Sequence, residues 1–416
     1  MRSSSPTNHE NSIGYGHETR TRSRYFLSNE MKVMTAMYTI RRGGAYDRFI
    51  MMLEAFLERK CEVHCLSLTP IQIEHSCYHN HVIIIPFRIG GGLVAKFIVL
   101  FLFPIYLFLI GWHKKIDLFV AFGPLYAFIE SIPKWILKKQ MVTLIRLDLD
   151  LSLGFKMQDL FNYSIWFNKI IEYVGLILSD RIVTTNIATR EDITRIFGSR
   201  KEGKVEVLFN NILPMMKSTS EGVDHTRAQF RISKEAKILV TAGVLTPRKN
   251  IEILIKSLPK IEMKNLYLLI VGDSSKKADF HYRDFLQGLA KRLEVDKQVI
   301  FTGWLEKEDL WKIYLASDLF VLPSLNEGMP NALLEALGVG LACMGSNIPG
   351  IKDILQYKEL MFDPLDEKAV AEKIRQTFSD NQFFYKIKEL CQERKKVFIF
   401  DWKERVFQMV VGQHSL

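Results

Sequence analysis

The chain predicts an α/β protein built as two facing Rossmann-like halves. Three observations lead there. Short apolar runs of strand length alternate with amphipathic segments of helix length from Met31 onward, the pattern of parallel sheets covered by helices. The alternation breaks at a polar stretch, Lys217 to Thr226, and restarts at Lys237. The 416 residues, 48% of them hydrophobic, suffice for two cores of ordinary size.

Residues 1–30 are Ser-, Arg- and polar-rich without apolar period, the composition of a disordered tail. Met1 to Pro6 lacks the apolar core of a signal peptide. Met31 to Tyr38 reads as the first strand, Arg41 to Gly44 as a turn, and a helix follows to about Arg59. A strand, a glycine turn and a helix can cradle phosphate, although paired glycines are also the commonest turn signal. Glu62 to Leu68 and His81 to Pro86 read as the second and third strands.

From Phe97 to Trp112 no residue is charged, a run of about 16 residues against the roughly 20 that span a bilayer. Including Leu93 to Lys96 reaches that length. Pro104 interrupts the run, and Trp112 with His113 to Lys115 makes an interface-type anchor. Three readings stand for this segment: a helix half-sunk in a leaflet, a helix packed within the domain, or a spanning helix.

Strands follow at Ile116 to Phe122, Met141 to Arg146 and Ser179 to Asn186, the last with a capped exit into a helix at Thr189. Tyr163 to Leu178 is a long amphipathic helix, and Val205 to Ile212 the last strand of the first half. The second half runs through strands at Lys237 to Ala242, Leu266 to Ser274 with its end at Gly272-Asp273, Val299 to Leu305, Leu319 to Leu322 and Ala342 onward. A helix covers Tyr282 to Leu293, and Phe398 to Trp402 leads a final one.

The chemistry gathers at the loop after Leu322. Pro330 suits the first turn of a helix, Leu333, Leu334 and Leu337 form its apolar face, and Gly338 is placed to end it. Glu327, Gly328 and Met329 then sit at a loop-to-helix junction, where free backbone N–H groups favour phosphate or sugar oxygens. Glu335 lies eight residues past Glu327, about 12 Å along a helix axis. A glycosidase acid pair needs about 5–9.5 Å, so these acids read as holding two ends of one long ligand.

With its flank from Leu322 to Ala336, the pair Glu327-x7-Glu335 resembles the signature of retaining glycosyltransferases of the GT-B fold, family 4 (glycosyl transferases group 1). The likeness covers nearly all of residues 31–416 and is closest from Val205 to Leu355. It implies that Glu327 contacts the donor sugar and Glu335 the ribose of a nucleotide-diphospho-sugar. It makes Glu327 and Lys249 the catalytic candidates. Gly243 to Asn250 resembles the family's Gly-Arg-Leu-x-x-x-Lys-Gly, with Lys249 as the phosphate lysine. Val244 stands where the family has arginine, and Arg248 is the residue that would compensate. Gly43 and Gly44 would face the diphosphate from the first half, and Gly272 the nucleotide. Gly328, Met329, Pro330 and Asn331 complete the donor set. Gly303 and Trp304 are weaker candidates near the base, with a core position for Trp304 as the alternative. Asn210 and Asn211 align with the Asn-Gly of a family loop. Arg146 replaces a histidine near the acceptor.

The resemblance further implies an acceptor-side domain over 31–215, a donor domain over 216–399, and a closing helix, 400–416, that packs back on the first. It requires no bound metal or other cofactor. Asp148-Leu-Asp150 mimics the metal triplet of the other large glycosyltransferase fold, but nothing around it resembles that fold, so no metal is assigned.

The formal charge of +10 and a pI near 9.2 call for an anionic partner. No nucleic-acid module is present. Acidic lipid headgroups and a nucleotide-sugar diphosphate remain, so a membrane surface plus a nucleotide sugar is the better reading. With the resemblance, the basic, apolar first half adds the expectation of a glycan or lipid-linked acceptor and of peripheral contact with an anionic membrane at its cytoplasmic face. The five cysteines are scattered without a Cys-x-x-Cys pair, as in reduced cytoplasmic proteins without a zinc site. Two other functions share the fold: a non-catalytic, membrane-docked subunit and a nucleotide-sugar epimerase.

Overall fold

The structure is a computed structural model that describes residues 31–38, 44–84, 93–146, 163–214, 220–274 and 277–412. The first lobe runs β1 (Lys32–Met37), α1 (Gly44–Leu57), β2 (Glu62–Ser67), β3 (Tyr78–Val82), α2 (Leu93–Lys114), β4 (Leu118–Phe122), α3 (Pro124–Leu137), β5 (Gln140–Leu144), α4 (Tyr163–Leu178), β6 (Arg181–Thr184), α5 (Ile187–Phe197) and β7 (Val205–Val207). The second runs α6 (Ser220–Gln229), β8 (Lys237–Ala242), α7 (Glu252–Ile261), β9 (Leu266–Val271), α8 (Lys277–Arg292), β10 (Val299–Gly303), α9 (Lys307–Ala316), β11 (Leu319–Leu322), α10 (Asn331–Gly338), β12 (Ala342–Ser346), α11 (Pro349–Leu355), β13 (Met361–Phe362), α12 (Glu367–Ser379) and α13 (Asn381–Val397). The last helix, α14 (Trp402–Val411), returns to the first lobe.

Among the described residues the first sheet has the order β3-β2-β1-β4-β5-β6-β7 and the second β10-β9-β8-β11-β12-β13. All these pairings are parallel. Parallel sheets need cover on both faces, so central strands are apolar throughout. Leu118 to Phe122 and Leu319 to Leu322 are accordingly buried at every position. In each sheet the strand order reverses once, between β1 and β4 and between β8 and β11. Such switch points open a crevice beyond the carboxyl ends of the strands.

Those carboxyl ends face each other. Asn186, after β6, donates from Nδ2 to the Gly328 carbonyl at 3.0 Å. Asn210, after β7, donates to the Met329 carbonyl at 3.1 Å and to Asn331 Oδ1 at 2.8 Å. Gly44, after β1, comes so close to Asn331 that a Cβ would meet its Nδ2 at 2.3 Å. Lys307 Nζ reaches Asp47 Oδ2 of α1 at 3.0 Å. The loops after β6 and β7 and the start of α1 therefore converge on the loop after β11 and the start of α10.

The final helix closes on the first lobe. Trp402, Val406 and Val410, spaced four apart on α14, are buried in the first core. Asp401 caps the helix by accepting from the Glu404 amide at 3.0 Å. Lys403 pairs with Glu54 on α1 at 2.7 Å and with Glu58 just past its end at 2.5 Å, and Phe407 packs on Phe56.

Several sequence expectations shift. The third strand is Tyr78–Val82 and not His81 to Pro86. Its place is fixed by Asn80, whose side chain donates to the Cys65 carbonyl (3.0 Å) and Ser67 Oγ (2.9 Å) and accepts from the Ile71 amide (2.7 Å). An edge strand takes polar residues readily, while the apolar run beyond it leaves Ile84 86% exposed. The polar stretch Lys217 to Thr226, where the alternation is expected to break, is helical from Ser220, held by Arg227 on Asp318 at 3.1 Å. Helix α8 begins at Lys277, ahead of Tyr282, in a polar turn with little apolar period. Pro330 is the N-cap of α10, with extended backbone, one position ahead of the first turn. The expected tail 1–30, the turn residues Arg41, Arg42 and Gly43, and Asp148 and Asp150 lie outside the described residues.

Helix α2 buries one stripe, Val99, Phe103, Leu107 and Gly111, against the first lobe. Its other face exposes Phe101, Leu102, Ile105, Tyr106, Leu109 and Trp112. A Cβ on Gly111 would meet Leu137 Cδ1 at 2.7 Å, so the glycine lets α2 and α3 pack closely. On α3, Ile132, Trp135 and Ile136 are exposed as well. Among the described residues no helix is long and apolar enough to cross a membrane.

Replacing Trp402 by alanine removes a fully buried indole and is expected to cost about 3–5 kcal/mol. Urea unfolding of the purified chain checks this. An unchanged midpoint would mean that α14 is not part of the first core.

Candidate active site at the sheet switch point

The two loops that flank the β8/β11 switch carry the cations and the acid. Gly243 leaves β8 at φ 146°, with the aliphatic end of Lys249 against it. Gly272, after β9, has φ 120°, and a Cβ there would lie 2.0 Å from the Gly243 carbonyl oxygen. Only glycine fits that approach. Pro247 to Lys249 form a short 3-10 turn that lifts Arg248 and Lys249 toward the next loop.

That loop, after β11, places Glu327 between them. Lys249 Nζ lies 2.6 Å from Oε1 and Arg248 Nη1 3.2 Å from Oε2. Ser324 Oγ donates to Oε1 at 2.8 Å. The Leu325 amide donates to the Arg248 carbonyl at 2.9 Å, and Arg248 also donates to the Asn326 carbonyl. Gly350, at the start of α11, supports the loop from below, its absent Cβ leaving room for the carbonyls of Glu327 and Gly328. Glu327 is only 7% exposed. Burial alone would raise its pKa; the charges of Lys249 and Arg248 and the bonds from Lys249 and Ser324 outweigh that and hold it below its ordinary value.

Glu335 has the opposite setting. It lies on α10, so the helical rise expected between the two acids applies only from Asn331 onward, and Glu327 belongs to the preceding loop. Burial raises the Glu335 carboxyl from 4.5 to about 7, only partly countered by Lys307 and Arg48. One acid is thus held charged and the other poised near neutrality, the separation that marks divided roles in a site.

The first lobe contributes residues the motif search passed over. Arg48 is 2% exposed on α1 and donates to Asn211 Oδ1 at 2.5 Å and to its carbonyl at 2.9 Å. Burial lowers its pKa to about 10, against the nearby charges of Glu335 and Asp47. Arg48 and Arg146 both lie against the Trp402 ring, at 5.3 and 5.4 Å from its centroid. Arg146 donates to Asn210 Oδ1, which itself holds Met329 and Asn331. Arg146 therefore stands behind the α10 N-terminus. The signal for Arg48 was a cation at a core-facing position of an apolar helix, one turn past a glycine.

Other candidates fall around this centre. Gly303 has φ 74° and accepts from the Gly272 amide at 2.9 Å. Trp304 is 57% exposed, so the core alternative for it does not hold. Asp273 pairs with Arg283 at 2.5 Å and accepts from the Ser274 amide at 2.7 Å. All five cysteines are free. A cavity of about 1000 Å³ lies at the far end of α10, lined by Met51, Asn211, Pro214, Val339, Lys395 and Trp402 among others. Its lining includes neither Arg248, Lys249 nor Glu327.

Comparison with known proteins adds to this geometry. Residues 223–396 match the family model described as glycosyl transferases group 1. An uncharacterized glycosyltransferase of Methanocaldococcus jannaschii is 29% identical over 217 residues, 50% of this chain and 54% of the relative. A UDP-Gal:alpha-D-GlcNAc-diphosphoundecaprenol alpha-1,3-galactosyltransferase of Escherichia coli is 35% identical over 123 residues, 29% of this chain and 30% of that protein. The chain thus spans about half the length of the first relative and less than a third of the second. The crystal structure of Anabaena Alr3699/HepE in complex with UDP and glucose superposes with a TM-score of 0.72 at 18% identity, covering 93% of this chain and all (100%) of that one. The two parallel α/β lobes have the GT-B fold.

The raised pKa of Glu335 sets a pH dependence. Its contribution to stability is fully present below about 4.5 and is lost as pH rises through about 7. Glu335→Gln removes that loss. The variant's Tm is therefore expected to gain on the parent's by a few degrees between about pH 5 and 7.5. A difference that does not change with pH would place Glu335 in water.

Proposed function

We propose that the chain is a retaining glycosyltransferase that moves a sugar from a nucleotide-diphospho-sugar to a hydroxyl of a lipid-linked glycan, in the synthesis of cell-surface polysaccharide or glycolipid. The observation that carries this reading is the Lys249–Glu327–Arg248 cluster, set at a switch point beside the N-terminus of α10. The group 1 family match over the same lobe supports it.

Transfer needs the departing diphosphate stabilised before the new bond forms. Lys249, Arg248 and the amides at the start of α10 supply fixed positive charge there. Glu327 neutralises both cations; a bound diphosphate takes over part of that role and frees the carboxylate to hold sugar hydroxyls. Glu335, close to neutral, meets the ribose as donor or acceptor. Gly44, packed on Asn331, brings the first lobe's backbone to the phosphates. Val244 removes one expected cation, and Arg248 stands in for it. The reaction is proposed to proceed without a metal. The acceptor lies on the first-lobe side, near Arg146.

The exposed apolar faces of α2 and α3, bordered by Lys114, Lys115 and Lys138, suit peripheral contact with an anionic membrane, where a lipid-linked acceptor resides. The galactosyltransferase relative, by its name, acts on a diphosphoundecaprenol-linked sugar.

Release of nucleoside diphosphate from a panel of nucleotide sugars, UDP-sugars first, tests the activity in the presence of lipid extract. Glu327→Gln and Lys249→Met are each expected to lower kcat by about 10²–10³. Tight nucleotide binding without turnover of any donor would favour the non-catalytic alternative. In flotation, the chain is expected to rise with anionic vesicles and to lose at least half of that binding when Trp112 and Trp135 are both changed to glutamate. Equal recovery of parent and variant would remove the membrane from the proposal.

A further inference from the structure

The edge of the first sheet carries a cluster that the transfer chemistry does not use. Strands β2 and β3 are parallel, with His64 opposite His79. Strand side chains alternate between faces, so Glu62 and His64 on β2 share one face with His79 and His81 on β3. The ligand atoms of Glu62, His64 and His79 all lie within 4.8 Å of one another. Glu62 Oε1 is 3.0 Å from His64 Nε2 and 3.3 Å from His79 Nε2.

We propose that Glu62, His64 and His79 form a binding site for one divalent transition-metal ion of the zinc type, which ties edge strand β3 to β2. Zinc sits about 2.0–2.1 Å from nitrogen and oxygen ligands in a tetrahedron, which spaces those ligands by roughly 3.4 Å. The two distances from Glu62 are already close to that value. The remaining polar atoms support the three ligands. His64 Nδ1 is 2.9 Å from His81 Nε2, so His81 fixes which nitrogen of His64 faces the ion. Glu62 Oε2 is 2.8 Å from Lys32 Nζ. Ligating histidines and carboxylates commonly have such outer partners.

Burial differs usefully among the three. His64 is fully buried and fixed. The His79 side chain is 40% exposed, leaving an entry path and a fourth position for water. The His64 and His79 rings are stacked, with centroids 4.8 Å apart, so closing on an ion takes a turn of the exposed ring. Two imidazoles with one carboxylate suit zinc, cobalt or nickel and discriminate against magnesium, which prefers oxygen. The site lies on the outer strands, away from the switch points, and its role is to hold β3 in register. The sequence hid it because its members come as two alternate-position pairs, Glu62/His64 and His79/His81, with no Cys-x-x-Cys or contiguous histidine motif.

The experiment uses the full chain, stripped with chelator and dialysed, titrated with Zn²⁺ by calorimetry and with Co²⁺ by visible absorption. The expected result is about one ion per chain, a tetrahedral Co²⁺ spectrum displaced by Zn²⁺, a higher Tm with Zn²⁺ and no effect of Mg²⁺. His79→Ala, which leaves the buried residues in place, should fold with an unchanged metal-free Tm and lose at least about tenfold in affinity. His81→Ala should lose about 10–100-fold. Failure to bind Zn²⁺ stoichiometrically, or affinity that survives His79→Ala and Glu62→Gln, would overturn the proposal. In the first case the cluster is a hydrogen-bonded network only; in the second, other histidines or cysteines hold the ion.

Discussion

The second lobe depends on one ion pair, Lys249 with Glu327, drawn across the β8/β11 switch point. Both side chains are largely withdrawn from water. Such a pair is costly to bury and is tolerated only when its remaining valences are filled. Arg248 and Ser324 fill them. Around that pair the backbone must come very close, which explains the glycines at 272 and 350, where a Cβ would lie 2.0 and 2.2 Å from a carbonyl oxygen of a neighbouring loop, while Gly243 is required by its φ of 146°. Charge, loop shape and glycine placement are therefore one solution. The cations bring the loops together, the loops set the acid, and the acid keeps the cations in place.

The first lobe reaches the same centre by a different route. It presents uncharged amides, Asn186 and Asn210, to the carbonyls of Gly328 and Met329. Behind them stand Arg48 and Arg146, packed on the Trp402 ring. The second lobe's loop is thus gripped from outside its own domain. Movement of one lobe against the other would be felt directly at Glu327 and its flanking amides, which gives domain closure a mechanical path to the site.

Much of this was legible in the residues. Strands Lys237–Ala242 and Leu319–Leu322 fall where the apolar runs put them, because a strand buried on both faces leaves little choice of composition. The 319–338 segment carried the acid, the loop and the helix in one contiguous reading. The first lobe was harder. Strand β3 is polar and sits at an edge, so periodicity pointed three residues too far, to the isoleucines beyond it. The contacts of Arg48, Asn210 and Trp402 join positions far apart in the chain, and nothing local marks them. The Glu62/His64/His79 group is invisible until two strands are paired in register. Trp304 could be read either way because an indole in a loop carries no period; its exposure decides.

The closing helix has a consequence for how the chain comes into being. The pocket that Trp402, Val406 and Val410 fill belongs to a core whose other members lie between residues 33 and 208. During N-to-C synthesis, the first half leaves the ribosome early yet waits for residues 402–410 to complete its interior, whereas the second half has all its own pieces by residue 398. The later-made lobe is thus the first able to finish folding, and the earlier one spends the interval with an open apolar groove that chaperones can occupy.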